Sequence, residues 1–281
     1  METQPHYVLE GANNRRSRLG GKALKSNSVI QTMLEHKSIR KYKEEMPSDE
    51  VIETIVRAGQ QAPFASQSYS VLLSRNIKRN PFKAPLLFTI CVDFHKFELI
   101  MAKRNWKIVT NDLTLLFFGI QDAALMAENM VVAGRSFGLG SCFLGSAMFR
   151  AEKIANEYQL PKRVFPLVQL TMGYPDGEPP TRPRYPKEFT LFEDKYPELD
   201  DETVATAMKT MDEGYLAQDY YRKQNAKIPL EVKNREETFT YENYSWTEHI
   251  CRKWGQWYPE PKELLEQLEK CGFSIAGKRT P

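Results

Sequence analysis

Four potential cations and one serine hydroxyl crowd into residues 36–42, HKSIRKY. In an extended segment, side chains two residues apart share a face, so His36, Ser38 and Arg40 are expected together and Lys37 on the opposite side. A phosphate monoester carries about −1.5 to −2 charges and three acceptor oxygens, and it therefore calls for several cationic donors and a hydroxyl. The cluster is typical of a phosphate site, although a solvated basic loop has the same composition.

A second basic pair follows much later, in Thr181-Arg182-Pro183-Arg184. The proline biases Arg182 toward extended geometry and has a fixed φ itself, so Arg182 and Arg184 are expected to project on the same side. The two arginines would then be able to bind the same anion as the first cluster. A solvent-exposed loop remains the alternative for this pair.

Other chemistries find little support in the sequence. The histidines are dispersed and form no metal-binding motif, so we predict no metal site. Residues 138–145, GLGSCFLG, have a misplaced third glycine and follow a helix instead of a strand, which argues against a dinucleotide fingerprint. A Cys142 nucleophile would need a histidine partner that the sequence does not supply.

The composition is that of an ordinary globular chain of 281 residues, with 41% hydrophobic and 27% charged residues. The excess of 39 Lys+Arg over 36 Asp+Glu is too small and too scattered to indicate a nucleic-acid partner. The four cysteines are far apart, without a C-x-x-C, and the N-terminus lacks an apolar core of signal-peptide length. The longest apolar stretch, residues 113–139, is interrupted by polar residues, which argues against a membrane span. A cytoplasmic protein with buried, reduced thiols is predicted.

Hydrophobic periodicity and capping residues predict the main elements. Ser48 is a good N-cap for a helix at about 49–61. Residues 112–137 are apolar nearly all round and end in a glycine stop, a pattern typical of a long buried helix. Short β-rich runs predict strands at 69–74, 86–92 and about 166–172.

Four stretches stand in a distinctive order: HKSIRKY, QQAPFASQSYS, GIQDAALMAENMVVAGRSFGLGSCFLGSA and LPKRVFPLVQLTMGYPDGEPPTRPRYP. With this order and spacing the chain resembles the flavin-dependent nitroreductase family over roughly residues 29–251. Tyr220-Tyr221-Arg222-Lys223 and a later Trp246-Thr-Glu-His249-Ile250 are similar to one branch, the NADPH-preferring nitroreductases and flavin reductases with a long C-terminal excursion.

The resemblance implies an α+β fold, a three-layer sandwich with a central mixed or antiparallel sheet. It implies an intertwined homodimer that binds FMN between its two chains, so that one protomer alone lacks a complete site. Together with the shift to a charged, helical pattern from about Asp200, it divides the chain into three parts. These are a polar basic N-terminal tail at 1–26, an FMN-binding core at 27–199 and a helical C-terminal excursion at 200–281.

The family's motifs imply site residues one by one. The implied phosphate contacts are His36, Lys37, Ser38, Arg40, Arg182 and Arg184. The implied contacts around the flavin ring are Ser66, Gln67, Ser68, Phe143, Leu144, Gly145 and Ser146. Within the last four, the backbone N–H of Gly145 would donate to flavin N5. Arg222 and Lys223 match the region that holds the 2′-phosphate of NADPH in this branch.

The implied reaction is a ping-pong cycle. NADPH or NADH delivers hydride to flavin N5, and a nitroaromatic, quinone or flavin acceptor then enters the same slot. A donor at N5 and positive charge near the pyrimidine end stabilise the reduced flavin electrostatically, so no side chain is assigned as catalytic. The implied partners are a second copy of the chain and a small aromatic or quinonoid acceptor, with no nucleic acid and no membrane.

Two departures from the family's pattern bear on this expectation. SRNIKRNPFKAP at residues 74–85 replaces a longer helix, which leaves an FMN-binding sensor or flavin store with little turnover as an alternative. The flavin-facing glycine pair of the family is Gly145-Ser146 here. If the second position needs a positive φ, serine costs roughly 1–2 kcal/mol there.

Overall fold

The central sheet has four strands, each antiparallel to its neighbours. A computed structural model of the chain describes residues 17–19, 22–256 and 260–275. Two short strands, β1 (Ser17–Leu19) and β2 (Lys22–Leu24), pair with each other apart from this sheet. The sheet itself runs in the order β3-β4-β6-β5, and its strands are β3 (Tyr69–Ser74), β4 (Leu86–Asp93), β5 (Gly140–Leu144) and β6 (Val164–Gly173). The three strands predicted from the sequence are confirmed to within a residue or two at each end.

Helices cover the sheet and continue beyond it. In chain order they are α1 (Ser28–Leu34), α2 (Asp49–Gln60), α3 (His95–Lys103), α4 (Asp112–Ser136), α5 (Ala151–Glu157), α6 (Asp201–Ala217), α7 (Tyr220–Lys223), α8 (Trp246–Gln256) and α9 (Pro261–Lys270). Short 3-10 helices lie at Pro81–Lys83, Gly145–Arg150 and Lys187–Phe189. With an antiparallel sheet and segregated helices, this is the α+β class that the family resemblance implies.

The two helices that the sequence predicts most clearly begin at side-chain caps. The Ser48 hydroxyl accepts a hydrogen bond from the Val51 N–H at the start of α2, and Asn111 does the same for the Thr114 N–H at the start of α4. Such caps satisfy backbone donors that have no partner inside the helix. Both predicted helices are therefore confirmed, with α2 one residue shorter than expected at its end.

Helix α4 is buried on one side and exposed on the other. Met126, Ala127 and Met130 pack in the core, whereas Phe117 is 61% exposed. The helix is long and apolar enough to cross a membrane by length and composition. Its buried side is nevertheless accounted for by packing against the sheet and α2. The outer side differs from the prediction of a helix buried all round.

Two apolar clusters hold the sheet between helices. Leu86, Phe88 and Ile90 of β4 project from one face of the strand and pack with α2 and α4. A second cluster joins Val92 and Phe94 to helix α5 and to the last described segment of the chain. The strand therefore contributes to both clusters, and all eight of its residues are buried.

Three of the four cysteines are free and buried, as predicted, while Cys251 is exposed on α8. Burial raises the pKa of the Cys91 thiol, and it raises the pKa of Cys271 to about 11. Both groups therefore stay protonated near neutral pH and behave as small core residues.

The described chain falls into two compact units. The first runs to Pro179 and resumes at Lys262, and the second is Pro180–Pro261. The sequence-based division at 199/200 therefore differs from the observed one, because the last segment returns to the first unit: Leu268 and Phe273 are buried in its second apolar cluster. The predicted tail at 1–26 lies largely outside the described residues.

Residues 74–85 form a tight connection between β3 and β4. The buried Asn80 side chain holds it together: its amide donates to the carbonyls of Ser74 and Ala84, and its oxygen accepts from the Ser74 hydroxyl. One side chain thus bonds to residues at both ends of the segment.

Close packing of α4 on β4 gives a test of this fold. A Cβ at Gly119 would come within 2.5 Å of Val92 Cγ1, so Gly119→Leu forces the helix and strand apart. We expect the free energy of unfolding to fall by roughly 1–3 kcal/mol. Urea unfolding followed by far-UV circular dichroism measures the change.

The matched control is Gly255→Leu on α8, where a Cβ meets nothing within 4 Å. That change should be neutral or stabilising by up to about 1 kcal/mol, because glycine is a poor helix former. Equal destabilisation by both substitutions would contradict the described packing.

Candidate functional site

Residues 36–43 form an extended segment. It pairs with β5 on one side and with Pro175, two residues beyond the end of β6, on the other. Ser38 bridges Ser141 in parallel, and the Ile39 N–H donates to the Ser141 carbonyl at 2.8 Å. Tyr42 bridges Pro175 in antiparallel orientation. Because Ile39 is buried in the core, its neighbours Ser38 and Arg40 are directed away from it.

Tyr42 fixes the conformation of this segment from within. Its hydroxyl donates to the Ile39 carbonyl at 2.6 Å and lies 2.9 Å from the Thr171 hydroxyl on β6. Burial raises the pKa of the Tyr42 hydroxyl, so it remains a protonated donor near neutral pH. The backbone beneath the cationic side chains is thereby held in place before any ligand binds.

Ser38 and Arg40 lie beside the same thiol, as the alternation predicts, whereas Lys37 has a different partner. Burial raises the pKa of the Cys142 thiol, and Arg40 and Ser38, which lie beside it, act in the opposite direction. Lys37 instead forms an ion pair with the Glu178 carboxylate. This contact holds the pKa of Glu178 below its usual range. Ser38 and Arg40 are thus together, and Lys37 already has an anionic partner within the chain.

The loop that contains Ser66 and Gln67 is bound by a buried carboxylate from α4. Asp122, 1% exposed, accepts hydrogen bonds from the N–H groups of Ala65, Ser66 and Ser68 at 2.6–3.0 Å. It also accepts one from the Ser68 hydroxyl at 2.8 Å. Ser68 therefore holds the loop in place, and the side chains of Ser66 and Gln67 are exposed.

The charge of Asp122 depends on these donors. Burial alone would raise the pKa of its carboxyl, but the hydrogen bonds from Ser68, Ala65 and Ser66 outweigh it and hold the pKa below its usual range. The carboxylate is therefore ionised near neutral pH, and it accepts all of its hydrogen bonds as an anion. Gln67, at the tip, has a φ of 55° and adopts the left-handed conformation that this tight arrangement requires.

The end of β5 presents open backbone. The strand is buried at Gly140–Cys142 and becomes exposed from Phe143 onward. At Gly145, a Cβ would meet nothing within 4 Å, and the φ of this residue is not positive. Neither packing nor backbone strain within the chain therefore requires glycine here. Ser146 has no positive φ either, so the cost considered for serine at this position does not arise.

The second basic pair lies in the second unit. Arg182 donates to the Gln218 side chain at 2.6 Å, and its guanidinium lies 4.0 Å from the centre of the Tyr220 ring. Arg184 is exposed and donates to the carbonyls of Arg182 and Pro183 at 3.0 Å. Arg182 is thus held in position by its neighbours, and Arg184 is bonded only to adjacent backbone among the contacts of the described residues.

Arg222 and Lys223 also lie in the second unit, on α7. Arg222 forms ion pairs with Glu242 at 2.8 Å and with Asp219 at 3.3 Å. Lys223 donates to the Gln218 carbonyl at 2.9 Å. Both cations therefore have partners within the chain.

Comparison with known proteins identifies the family. The sequence model of the Nitroreductase family matches residues 33–75 and 73–174. A protein of Bacillus subtilis named FMN reductase (NADPH) is 30% identical over 231 residues, covering 76% of this chain and 89% of the relative. A second B. subtilis protein, whose name is FMN reductase with NAD(P)H as the nucleotide, is 26% identical over 266 residues. The match covers 89% of this chain and 99% of the relative. The solved structure of the NfrA1 nitroreductase from B. subtilis superposes with a TM-score of 0.72 at 25% identity, covering 88% and 99%.

These matches define an oxidoreductase, and the chain belongs to the nitroreductase family. The predicted family and fold class are confirmed. The two matched pieces meet at residues 73–75, where the segment 74–85 begins. The match to the family model is thus interrupted at the start of this segment.

Two residues of the site were not predicted from the sequence. Asp122 was interpreted only as an interruption of an apolar stretch, although an aspartate on the buried face of such a helix needs donors from elsewhere. Glu178 gave no local signal, because its partner Lys37 is 141 residues away in the chain. Both assignments depend on contacts between distant parts of the sequence.

The Asp122 carboxylate gives the second test. Asp122→Asn places an amide group against backbone donors, and we expect the free energy of unfolding at neutral pH to fall by about 2 kcal/mol or more. A carboxyl whose folded pKa lies below its unfolded pKa of about 3.9 stabilises the fold above that pH. This stabilisation is lost as the pH falls through the folded pKa. The difference between wild type and variant should therefore shrink in acid, as measured by urea unfolding at several pH values.

Glu128→Gln is the matched control, because it neutralises an exposed carboxylate on the same helix. It should change stability little at any pH. A difference between Asp122→Asn and wild type that does not vary with pH would contradict the role of the charged carboxylate.

Proposed function

We propose that the chain binds FMN and uses NADPH or NADH to reduce nitroaromatic, quinone or flavin acceptors. The observation that carries the proposal is the open backbone at Gly145, at the end of the strand that also holds the cationic segment. From Ser141, the partner of Ser38, to Gly145 the strand advances by about 13 Å. A phosphate tail at one end and a ring system at the other suit this span.

The phosphate would bind at the basic segments. Ser38 and Arg40 offer a hydroxyl and a guanidinium on one side of a fixed backbone, with His36 on the same alternation. Lys37 would exchange the Glu178 carboxylate for the phosphate. Arg182 and Arg184 would add further charge-assisted hydrogen bonds, which are the strong ones in proteins.

The ring would lie at the exposed end of β5. Glycine at 145 leaves room for a close approach, and its N–H is available because it opens a 3-10 helix. Phe143, Leu144 and Ser146 would flank it. Ser66 and Gln67 present polar groups from a loop that Asp122 holds rigid, so these groups would orient the ring without an ordering cost.

FMN, when bound, supplies a redox centre that exchanges electron pairs with a nicotinamide and with an aromatic acceptor. The chain's own contribution is to bind, orient and stabilise charge through fixed donors. The thiol of Cys142 stays protonated, and the hydroxyl of Tyr42 serves the backbone, so neither is assigned to proton transfer.

Arg222 and Lys223 are proposed to meet the 2′-phosphate of NADPH. Arg222 would have to leave Glu242 and Asp219 to do so, and these carboxylates compete with the phosphate for the same cation. We therefore expect NADPH to be preferred over NADH only weakly.

The proposed active form is a cytoplasmic homodimer with FMN bound between its subunits. The outer side of α4 supports this assembly, because it exposes large apolar side chains that water solvates poorly. They are Leu113, Phe117, Phe118, Ile120 and Leu125.

Anaerobic mixing of the FMN-loaded protein with NADPH or NADH tests the proposal. Rapid bleaching of the flavin absorbance, with both nucleotides and with a modest preference for NADPH, is the expected result. Bleaching should reverse when a quinone is added. An oxidised spectrum that persists with both nucleotides would instead support a flavin-binding sensor or store.

Loss of one phosphate contact gives a second test. Arg184→Ala removes a charge-assisted hydrogen bond, worth about 1.5–3 kcal/mol, so FMN should bind roughly 10- to 100-fold more weakly. Flavin retained after dialysis measures the change. Arg57→Ala, an exposed arginine of α2, is the control and should keep its FMN. Full retention by Arg184→Ala would remove Arg184 from the site.

A further inference from the structure

A cavity of about 490 Å³ lies in the first unit, and none of its lining residues is among those assigned to FMN. The segment 74–85 forms one wall through Asn76, Arg79 and Pro81, and the 3-10 helix end and α5 form another. Small-molecule sites in proteins commonly have volumes of about 300–1,000 Å³. The connection between β3 and β4 therefore helps to form a space of ligand size.

The floor of the cavity is polar. Gln169 is buried on β6, and its amide donates to the Thr89 hydroxyl behind it at 3.1 Å. Burial raises the pKa of the Tyr158 hydroxyl. Hydrogen bonds with Thr89 and Ser74 lower it, but by less than burial raises it. The floor thus offers neutral hydrogen-bonding groups that are already fixed by neighbours, which is how ligand sites obtain specificity.

The rim of the cavity is cationic. Arg79 pairs with Glu157 at 2.9 Å. Arg150 and Lys153 are exposed, and in the part of the chain that the structure describes no carboxylate lies within 4.0 Å of either. Three cations and one carboxylate therefore line the site, which leaves a net charge of +2.

We propose that this cavity binds a small phosphate monoester. The charge of about −1.5 to −2 on such a group matches the net charge of the rim. Arg150 and Lys153 are three residues apart across the start of α5 and line the same space, so both can reach one group. The sugar or other polar body of the ligand would lie on the floor, against Gln169, Ser74 and Tyr158.

The cavity shares no residue with the proposed flavin site, although Gln169 on β6 pairs with Leu144 on β5. One element connects the two sites. The 3-10 helix that begins at Gly145, at the proposed flavin site, ends at Arg150, at the rim of the cavity. A phosphate ester bound here would hold the far end of the helix whose first N–H is proposed to face the flavin.

Calorimetric titration of the FMN-loaded protein tests the proposal, with ribose 5-phosphate as the probe. Saturable binding is expected, with ribose alone showing none and inorganic phosphate binding more weakly. In the double variant Arg150→Glu/Lys153→Glu the affinity should fall at least tenfold, while the flavin content stays unchanged. Lys103→Glu, an exposed cation on α3, is the matched control and should bind like wild type.

Several outcomes would overturn the proposal. They are no saturable binding of ribose 5-phosphate by wild type, equal affinity in the double variant, or equal binding of succinate, which would indicate a general dianion surface. If the double variant fails to fold, the single variant Lys153→Gln replaces it. This change removes one positive charge from the rim, so binding should weaken several-fold, and unchanged affinity would overturn the proposal. Retention of FMN throughout separates failure here from failure of the proposed flavin site.

Discussion

One buried carboxylate connects the core of this protein to its candidate site. Asp122 lies on the inner face of α4, yet all of its hydrogen bonds go to the loop that leads into β3. Three backbone donors that would otherwise be buried without partners, or exposed in a mobile turn, are satisfied by one charged group. The position of Ser66 and Gln67 is therefore set by the packing of the longest helix.

The basic segment, residues 36–43, is likewise held in a fixed backbone conformation before any ligand binds. Residues 36–43 bridge β5 and the exit from β6, and Tyr42 ties their backbone to β6. The sheet thus carries the cationic segment, the polar loop before β3 and the open end of β5. Preorganised donors of this kind stabilise bound charge without rearrangement. In the proposed function, the bound flavin supplies the chemistry and the chain supplies this arrangement of donors.

Local signals predicted two helices and three strands of the core, whereas β5 and the long-range contacts were missed. Ser48 and Asn111 cap the helices that periodicity indicated, and β3 has the predicted bounds because polar residues follow its apolar run Val71-Leu72-Leu73. The alternation in HKSIRKY predicted that Ser38 and Arg40 lie together, and both lie beside Cys142. The role of Asp122, the Glu178 partner of Lys37 and the return of α9 all depend on residues far apart in the chain, and one sequence carries no local pattern for such pairs.

The return of α9 makes the second unit an insertion rather than an appendage. Leu268 and Phe273 fill the second apolar cluster, so the chain leaves the first unit at Pro179 and must rejoin it at Lys262. The entropy of closing such a loop grows only slowly, by about 0.6 kcal/mol for each doubling of its length. The second unit can therefore change in length or sequence during evolution at a small cost in folding free energy. The points at which the chain leaves and rejoins the first unit, Pro179 and Lys262, need not change.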